Sequence, residues 1–124
     1  MNLPKINILI LNWNGKNVLN ECLESILSST YNNYRITVID NGSKDNSIDD
    51  IGKISNKINI IKIGKNLGYS KGYNFAFNII KNDDDDYYFL LNNDTVINKD
   101  TLESLYLSLL HFGSNNIYSP KIIN

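Results

Sequence analysis

The sequence predicts an α/β protein, a three-layer α/β/α sandwich around a mainly parallel sheet. Three observations carry this. Short β-branched apolar runs alternate with amphipathic helical stretches along the whole chain. The runs are nearly continuous in apolar character, as parallel strands covered on both faces require. Composition is globular, with 42% hydrophobic and 20% charged residues in 124.

Each element follows in order. Residues 5–11, 34–39, 58–63 and 87–91 read as strands, rich in Ile, Val, Leu and Tyr. Between the first two, residues 17–29 place Val18, Leu19, Cys22, Leu23, Ile26 and Leu27 on one helical stripe. Residues 47–55 predict a shorter helix with Ile48, Ile51 and Ile54 on one side and Asp45 or Asn46 as N-cap. Residues 70–82 carry Tyr73, Phe77 and Ile80, and residues 100–111 carry Leu102, Leu105 and Leu109, both at helical spacing. An apolar run around Ile117 predicts the start of a fifth strand. The βα alternation implies right-handed crossovers and one domain over 1–124.

Composition excludes several classes. The 12 Lys+Arg against 13 Asp+Glu leave a charge of −1, without the basic stripe that a nucleic-acid partner recruits. No apolar run approaches the roughly 20 residues of a transmembrane helix, and the N-terminus lacks a secretory pattern. The one cysteine, Cys22, forms no intrachain disulfide, which favours a cytoplasmic protein, and its place on the first helix stripe makes it a core residue. His111 reads as a residue near a helix end. Tyr69 and Tyr73 could stack on a ligand or simply pack. The block 83–86, Asp-Asp-Asp-Asp, reads as a solvated loop, because consecutive carboxylates repel and point apart.

The informative pattern is what ends each strand. The runs lead into Asn12-Trp13-Asn14-Gly15, Asp40-Asn41-Gly42-Ser43, Asn66-Leu67-Gly68 and Asn92-Asn93-Asp94. In a parallel sheet these groups share one edge, the crevice where open α/β sheets bind ligands. Asp94 is placed to hold a hard divalent cation, with Asn92 as a neutral oxygen two residues away on the same side of an extended segment. Asp40 could accept a hydrogen bond from a base N–H or a ribose hydroxyl. The stretch 66–72 joins backbone freedom, a helix start and Lys71, which suits a phosphate, though it matches neither a Walker loop nor the Rossmann glycine pattern.

These four motifs, in this order and spacing, resemble family 2 glycosyltransferases, specifically the nucleotide-binding part of their GT-A fold. The Asn-Trp-Asn-Gly opening and the Leu-Asn-Asn-Asp-Thr block look most like the rhamnosyltransferase-like branch. The resemblance implies that Asn12, Trp13 and Asn14 line the base and ribose site, and that Asp40 reads the pyrimidine of a UDP- or dTDP-sugar. Asn66, Gly68 and Lys71 would border base and diphosphate, and Asn93 would face the ribose. Asn92-Asn93-Asp94 stands where the family has Asp-x-Asp, so Asp94 would meet Mg²⁺ or Mn²⁺. Asn92 replaces the first carboxylate, which implies weak metal affinity without nucleotide.

The implied role is bacterial cell-surface polysaccharide synthesis. A hexosyl group would pass, with inversion, to a saccharide or lipid-linked acceptor, in the cytoplasm or peripherally at the inner face of the membrane. The family's acceptor site and catalytic base lie beyond the metal motif, and the sequence extends only about 30 residues past Asp94. The expectation is therefore a donor domain whose acceptor half is absent and whose catalytic base is unassigned. Two other readings stand beside it: a non-catalytic nucleotide-binding scaffold, and a flavodoxin-like receiver module. The latter is disfavoured because the first strand ends in Asn12-Trp13-Asn14 instead of a carboxylate pair.

Overall fold

A computed structural model describes residues 2–123. Four strands form one sheet: β1 (Ile6–Asn12), β2 (Tyr34–Asp40), β3 (Ile58–Lys62) and β4 (Tyr87–Asn92). All pairings are parallel and the order is β3-β2-β1-β4. The helices are α1 (Leu19–Leu27), α2 (Tyr69–Ile80) and α3 (Thr101–Phe112), with a short 3₁₀ turn at Ile51–Lys53. This strand order separates the fold from a flavodoxin-like receiver, in which β1 lies between β2 and β3.

The sheet is covered on both faces, as the apolar runs require. Ile6, Ile8 and Ile10 of β1, with Ile36 and Val38 of β2, pack against Leu19, Cys22, Leu23 and Ile26 of α1, Ile51, and Leu102 of α3. On the opposite face Leu9 and Ile39 meet Tyr73, Ala76 and Ile80 of α2. Burying a side chain such as Ile8 or Leu23 fully contributes about 1.5–3 kcal/mol. Cys22 is fully buried within it, and burial pushes its thiol up to about 11. His111 lies exposed in the last turn of α3.

The structure corrects three expectations. The helix over 47–55 shrinks to a series of turns and one 3₁₀ turn. Asp50 sits in the left-handed region at φ 66° and Gly52 follows, so a continuous helix has both a break and a weak former where its middle should be. The fifth strand does not form: residues 113–123 carry no regular structure beyond a turn, and Ile117 is wholly exposed. Among the described residues the segment makes no ladder pairing with any strand, and an unpaired run gains nothing from extension.

The third correction concerns 83–86, which is an anchored loop and not a merely solvated one. The Asp85 side chain is fully buried; its Oδ1 accepts from Arg35 Nε at 2.9 Å, and its Oδ2 accepts from Arg35 Nη2 and from Asn7 Nδ2 at 3.1 Å. Arg35 Nη2 also reaches Asp83 at 2.8 Å, Lys5 Nζ reaches Asp84 at 2.8 Å, and Lys5 N–H donates to Asp86. The hydrogen bond to Asp85, then that to Asp83, raises the guanidinium above its ordinary value against the cost of desolvation. Four successive carboxylates are tolerable because two cations from the adjacent strand ends take up three of them.

Candidate functional site

The pairing register brings the strand ends level. Asn12 pairs with Asp40, Asp40 with Lys62, and Leu11 with Asn92. The loops after all four strands therefore open on one edge of the sheet, where the sequence-predicted residues gather.

Asn12 ends β1 and is fully buried. Its Nδ2 donates to Ser47 Oγ at 2.9 Å and to Ser43 Oγ at 3.2 Å, and its Oδ1 accepts from Asn93 Nδ2 at 2.9 Å. The next residue, Trp13, is 55% exposed, so its ring presents a free face at the loop tip. Asn14 adopts φ 50°, a left-handed conformation that Asn tolerates better than most residues. Its N–H donates to Ser43 Oγ at 2.9 Å and its Oδ1 accepts from Lys44 N–H at 2.8 Å. Asp45 accepts from Lys16 N–H at 2.8 Å and from Ser47 N–H at 3.0 Å. Desolvation acts to raise the Asp45 carboxyl, but the bonds from Ser47 and Lys16 hold it below its usual range. The loops after β1 and β2 are thus laced together by side chain to backbone bonds.

Asp40 is nearly buried at the end of β2, with one protein donor in reach, Ser43 N–H at 3.4 Å. The following Asn41 is buried and fixes the third loop: its Nδ2 donates to Asn66 Oδ1 and Gly68 O, and its Oδ1 accepts from Leu67 N–H at 2.9 Å. Asn66 Oδ1 also accepts from Gly68 N–H at 2.8 Å. Gly42 has φ +82°, and a Cβ there would lie 2.7 Å from the Lys65 backbone, so glycine is required both for the turn and for the close approach. Lys71 lies exposed in the first turn of α2, beside exposed Tyr69. Tyr73 is buried, with Tyr69 edge-to-face at 5.0 Å, so of the two tyrosines Tyr69 alone offers a ring to the crevice side.

After β4 the chain turns at once: Thr95 N–H donates to Asn92 O at 3.2 Å. The extended geometry expected to align Asn92 with Asp94 is therefore replaced by a turn. Asn92 and Asp94 are both exposed, and among the described residues neither side chain makes a hydrogen bond within the protein. Asn93 points inward to Asn12 and is half-buried. Among the described residues no three His, Cys, Asp or Glu side chains converge as a self-sufficient metal site. The free Asp94 carboxylate fits a hard divalent cation whose other ligands are phosphate and water, whereas the turn leaves Asn92 without the shared alignment expected of it.

Gly15, Asn41 and Ser43 stand in the strand-end motifs without an assigned role; the sequence marks Asp45 only as a candidate helix cap and does not single out Ser47. The signal for Asn41, Ser43, Asp45 and Ser47 is local chemistry: a small polar side chain in a loop past a strand end, where it can bond to neighbouring backbone.

The four-stranded parallel sheet in the order β3-β2-β1-β4, with polar loops gathered on its carboxyl edge, shares the GT-A fold of solved glycosyltransferase structures. The crystal structure of Staphylococcus aureus TarS 1–349 in complex with UDP-GlcNAc superposes with a TM-score of 0.76 at 20% identity, over 94% of this chain and 37% of that one. The mannosyltransferase PcManGT of Pyrobaculum calidifontis, in complex with GDP-Man and Mn²⁺, gives 0.75 at 16% identity, over 86% of this chain and 32% of that one. The family model for glycosyl transferase family 2 matches residues 7–120, and the chain belongs to that family. Glycosyltransferase GlyA of Streptococcus pneumoniae is 30% identical over 122 residues, 93% of this chain. An uncharacterized glycosyltransferase of Haemophilus influenzae is 31% identical over 78 residues, 60% of this chain. The chain spans 17% of the former and 24% of the latter.

Proposed function

We propose that this chain is the donor-binding part of a glycosyltransferase that takes a UDP- or dTDP-sugar with Mg²⁺ or Mn²⁺. The observation that carries the reading is the composition of the one edge where the strand ends meet. It holds an exposed aromatic ring at Trp13, a nearly buried carboxylate at Asp40 with little protein competition, and an exposed carboxylate at Asp94. Trp13 supplies a stacking face for the base, and Asp40 an acceptor for a base N–H or ribose hydroxyl. Asn14, Asn66, Gly68 and Lys71 border the same crevice, and Asn93 forms its wall beside Asp94.

Asp94, with Asn92 exposed on the same turn, is the residue to hold the metal, which when bound neutralises charge on the leaving diphosphate. Lys71, at the start of α2, adds a positive group near the helix N-terminus, where anions are favoured. The hexosyl acceptor, a saccharide or lipid-linked glycan, and the base for an inverting transfer belong to the same proposal without assigned residues. So do membership of the rhamnosyltransferase-like branch and action at the cytoplasmic side of the membrane. Among the described residues no helix is long and apolar enough to cross a membrane.

Isothermal titration of the chain with UDP and dTDP, with and without Mg²⁺ or Mn²⁺, tests the reading. Binding that weakens at least about tenfold in Asp40→Ala, and similarly in EDTA or in Asp94→Ala, is expected, since each step removes about 1.4 kcal/mol or more. Absence of binding at millimolar nucleotide, with Asp40→Ala indistinguishable from wild type, overturns it.

A further inference from the structure

The polar atoms behind the crevice form a chain of hydrogen bonds with a direction. At one end Asp45, partly exposed, accepts from Ser47 N–H at 3.0 Å. The hydroxyl oxygens of Ser47 and Ser43 accept from Asn12 Nδ2 at 2.9 and 3.2 Å. The Asn12 oxygen faces the other way and accepts from Asn93 Nδ2 at 2.9 Å. Turning Asn12 over would place its amide N–H₂ against that of Asn93. Inside a buried cluster, mismatched donors cost about 1–3 kcal/mol, so one polarity holds.

The last link is the informative one. Because the Asn93 nitrogen is turned inward, its oxygen is the atom left over, and among the described residues that oxygen makes no hydrogen bond within the protein. Gly15 keeps the link open. A Cβ there would lie 2.2 Å from Asn12 Oδ1 and 2.6 Å from Asn93 Nδ2, inside the bond itself.

We propose that Asn12 is a positioning residue, which holds Asn93 so that its carbonyl oxygen faces the crevice and accepts a hydrogen bond from a ligand hydroxyl. Its side chain is buried and fully engaged, so it acts through Asn93 and not by touching ligand. This rests on the reading of the crevice as a nucleotide site and adds to it a selection rule. The wall beside Asp94 favours a hydroxyl-bearing sugar ring and rejects a ring lacking that hydroxyl, because the Asn93 oxygen would be desolvated without a partner.

Two measurements on the full chain separate the parts. In the ligand-free protein, one side-chain amide proton of Asn93 should exchange with water at least about tenfold more slowly than those of exposed asparagines, and Asn12→Ala should remove that protection. With Mg²⁺ present, UDP should bind more tightly than 2′-deoxy-UDP or 3′-deoxy-UDP, by about fivefold to tenfold for whichever hydroxyl is read. Asn93→Ala should erase the preference, and Asn12→Ala should erase it too, with no further loss in the double variant. An unprotected Asn93 amide in wild type overturns the proposal, as does an Asn12→Ala protein that keeps the full preference. Should Asn12→Ala not fold, wild-type exchange and the Asn93→Ala preference decide it alone: protection with a lost preference supports the proposal, and any other pairing overturns it. A protected amide with no nucleotide binding refutes the nucleotide reading, and with it the ligand role of Asn93, while the Asn12–Asn93 bond stands.

Discussion

Arg35→Met offers a quantitative test of how the 83–86 loop anchors the start of β4. Arg35 faces Asp85, whose side chain is fully buried, through two hydrogen bonds, and adds Asp83 at 2.8 Å. Removing one partner of a buried ion pair leaves the other charge uncompensated, at about 3–5 kcal/mol. Asp85 would keep Asn7 Nδ2 at 3.1 Å, so the low end of the range applies, about 3 kcal/mol. For a chain of this size each kcal/mol moves Tm by about 4 °C, giving a fall of roughly 12 °C. The assay is thermal unfolding followed by far-UV circular dichroism, with Asp85→Asn and the double variant completing a cycle. Neutralising Asp85 alongside Arg35 should recover about half of the loss, since no unpaired charge then remains. A fall of less than about 3 °C in Arg35→Met, or a double variant no better than the single, would refute the account of 83–86 as a charge-paired anchor for β4.

Other outcomes follow from the same geometry. Gly15→Ala should lower Tm by several degrees and weaken UDP binding about tenfold, because overpacking by about 1–3 kcal/mol falls on the Asn12–Asn93 bond; unchanged binding would show that the contact yields freely. Gly42→Ala should destabilise by about 2 kcal/mol in chemical denaturation, since both its φ of +82° and the Lys65 backbone oppose a Cβ. Cys22, raised by burial from about 9 to about 11, contributes stability below pH 9 that is lost as pH rises from 9 towards 11. Denaturant midpoints taken across that window should fall, and fall less in Cys22→Ala. At the acid end Asp84 is held down by the hydrogen bond from Lys5 and Asp45 by donors from Ser47 and Lys16, so stability present above pH 4 should decline as pH drops below it. A flat acid profile would show those carboxylates to be uncoupled from folding.

What the sequence made legible was whatever shows as a pattern within one element. The four strands show as short, nearly continuous apolar runs and the three longer helices as stripes of period 3.6, and the edge where ligands bind follows from strand direction alone. What it hid depends on a single distant partner. Nothing local distinguishes Asp85 from Asp84, yet one is buried against Arg35, 50 residues away, and the other is exposed beside Lys5. The short helix failed for a related reason. Ile48, Ile51 and Ile54 have helical spacing, and Ile51 does enter the core. Ile48 packs against the core's margin, and Ile54 stays 44% exposed, because the left-handed Asp50 breaks the helical course that would keep all three on one side.

The same distinction bears on the site. Asn12, Asp40, Asn93 and Asp94 all look alike in sequence, as polar residues closing apolar strands. Burial and bonding divide them by task. Asn12 is sealed in and satisfied, Asp40 is nearly buried with one weak protein donor, Asn93 has one end committed inward, and Asp94 is exposed and uncommitted. A buried group with every bond made inside the protein can only position others, whereas a group with spare acceptor capacity at the crevice can meet a ligand. The middle residue of Asn92-Asn93-Asp94 is constrained by the same bonding. A carboxylate at 93 would set two acceptors, its own oxygen and Asn12 Oδ1, against each other across 2.9 Å. An amide at 93 can donate inward and accept outward at once. The asparagine is thus matched to Asn12, and Asn93→Asp should be more damaging in this chain than a single change of charge on an exposed loop would be.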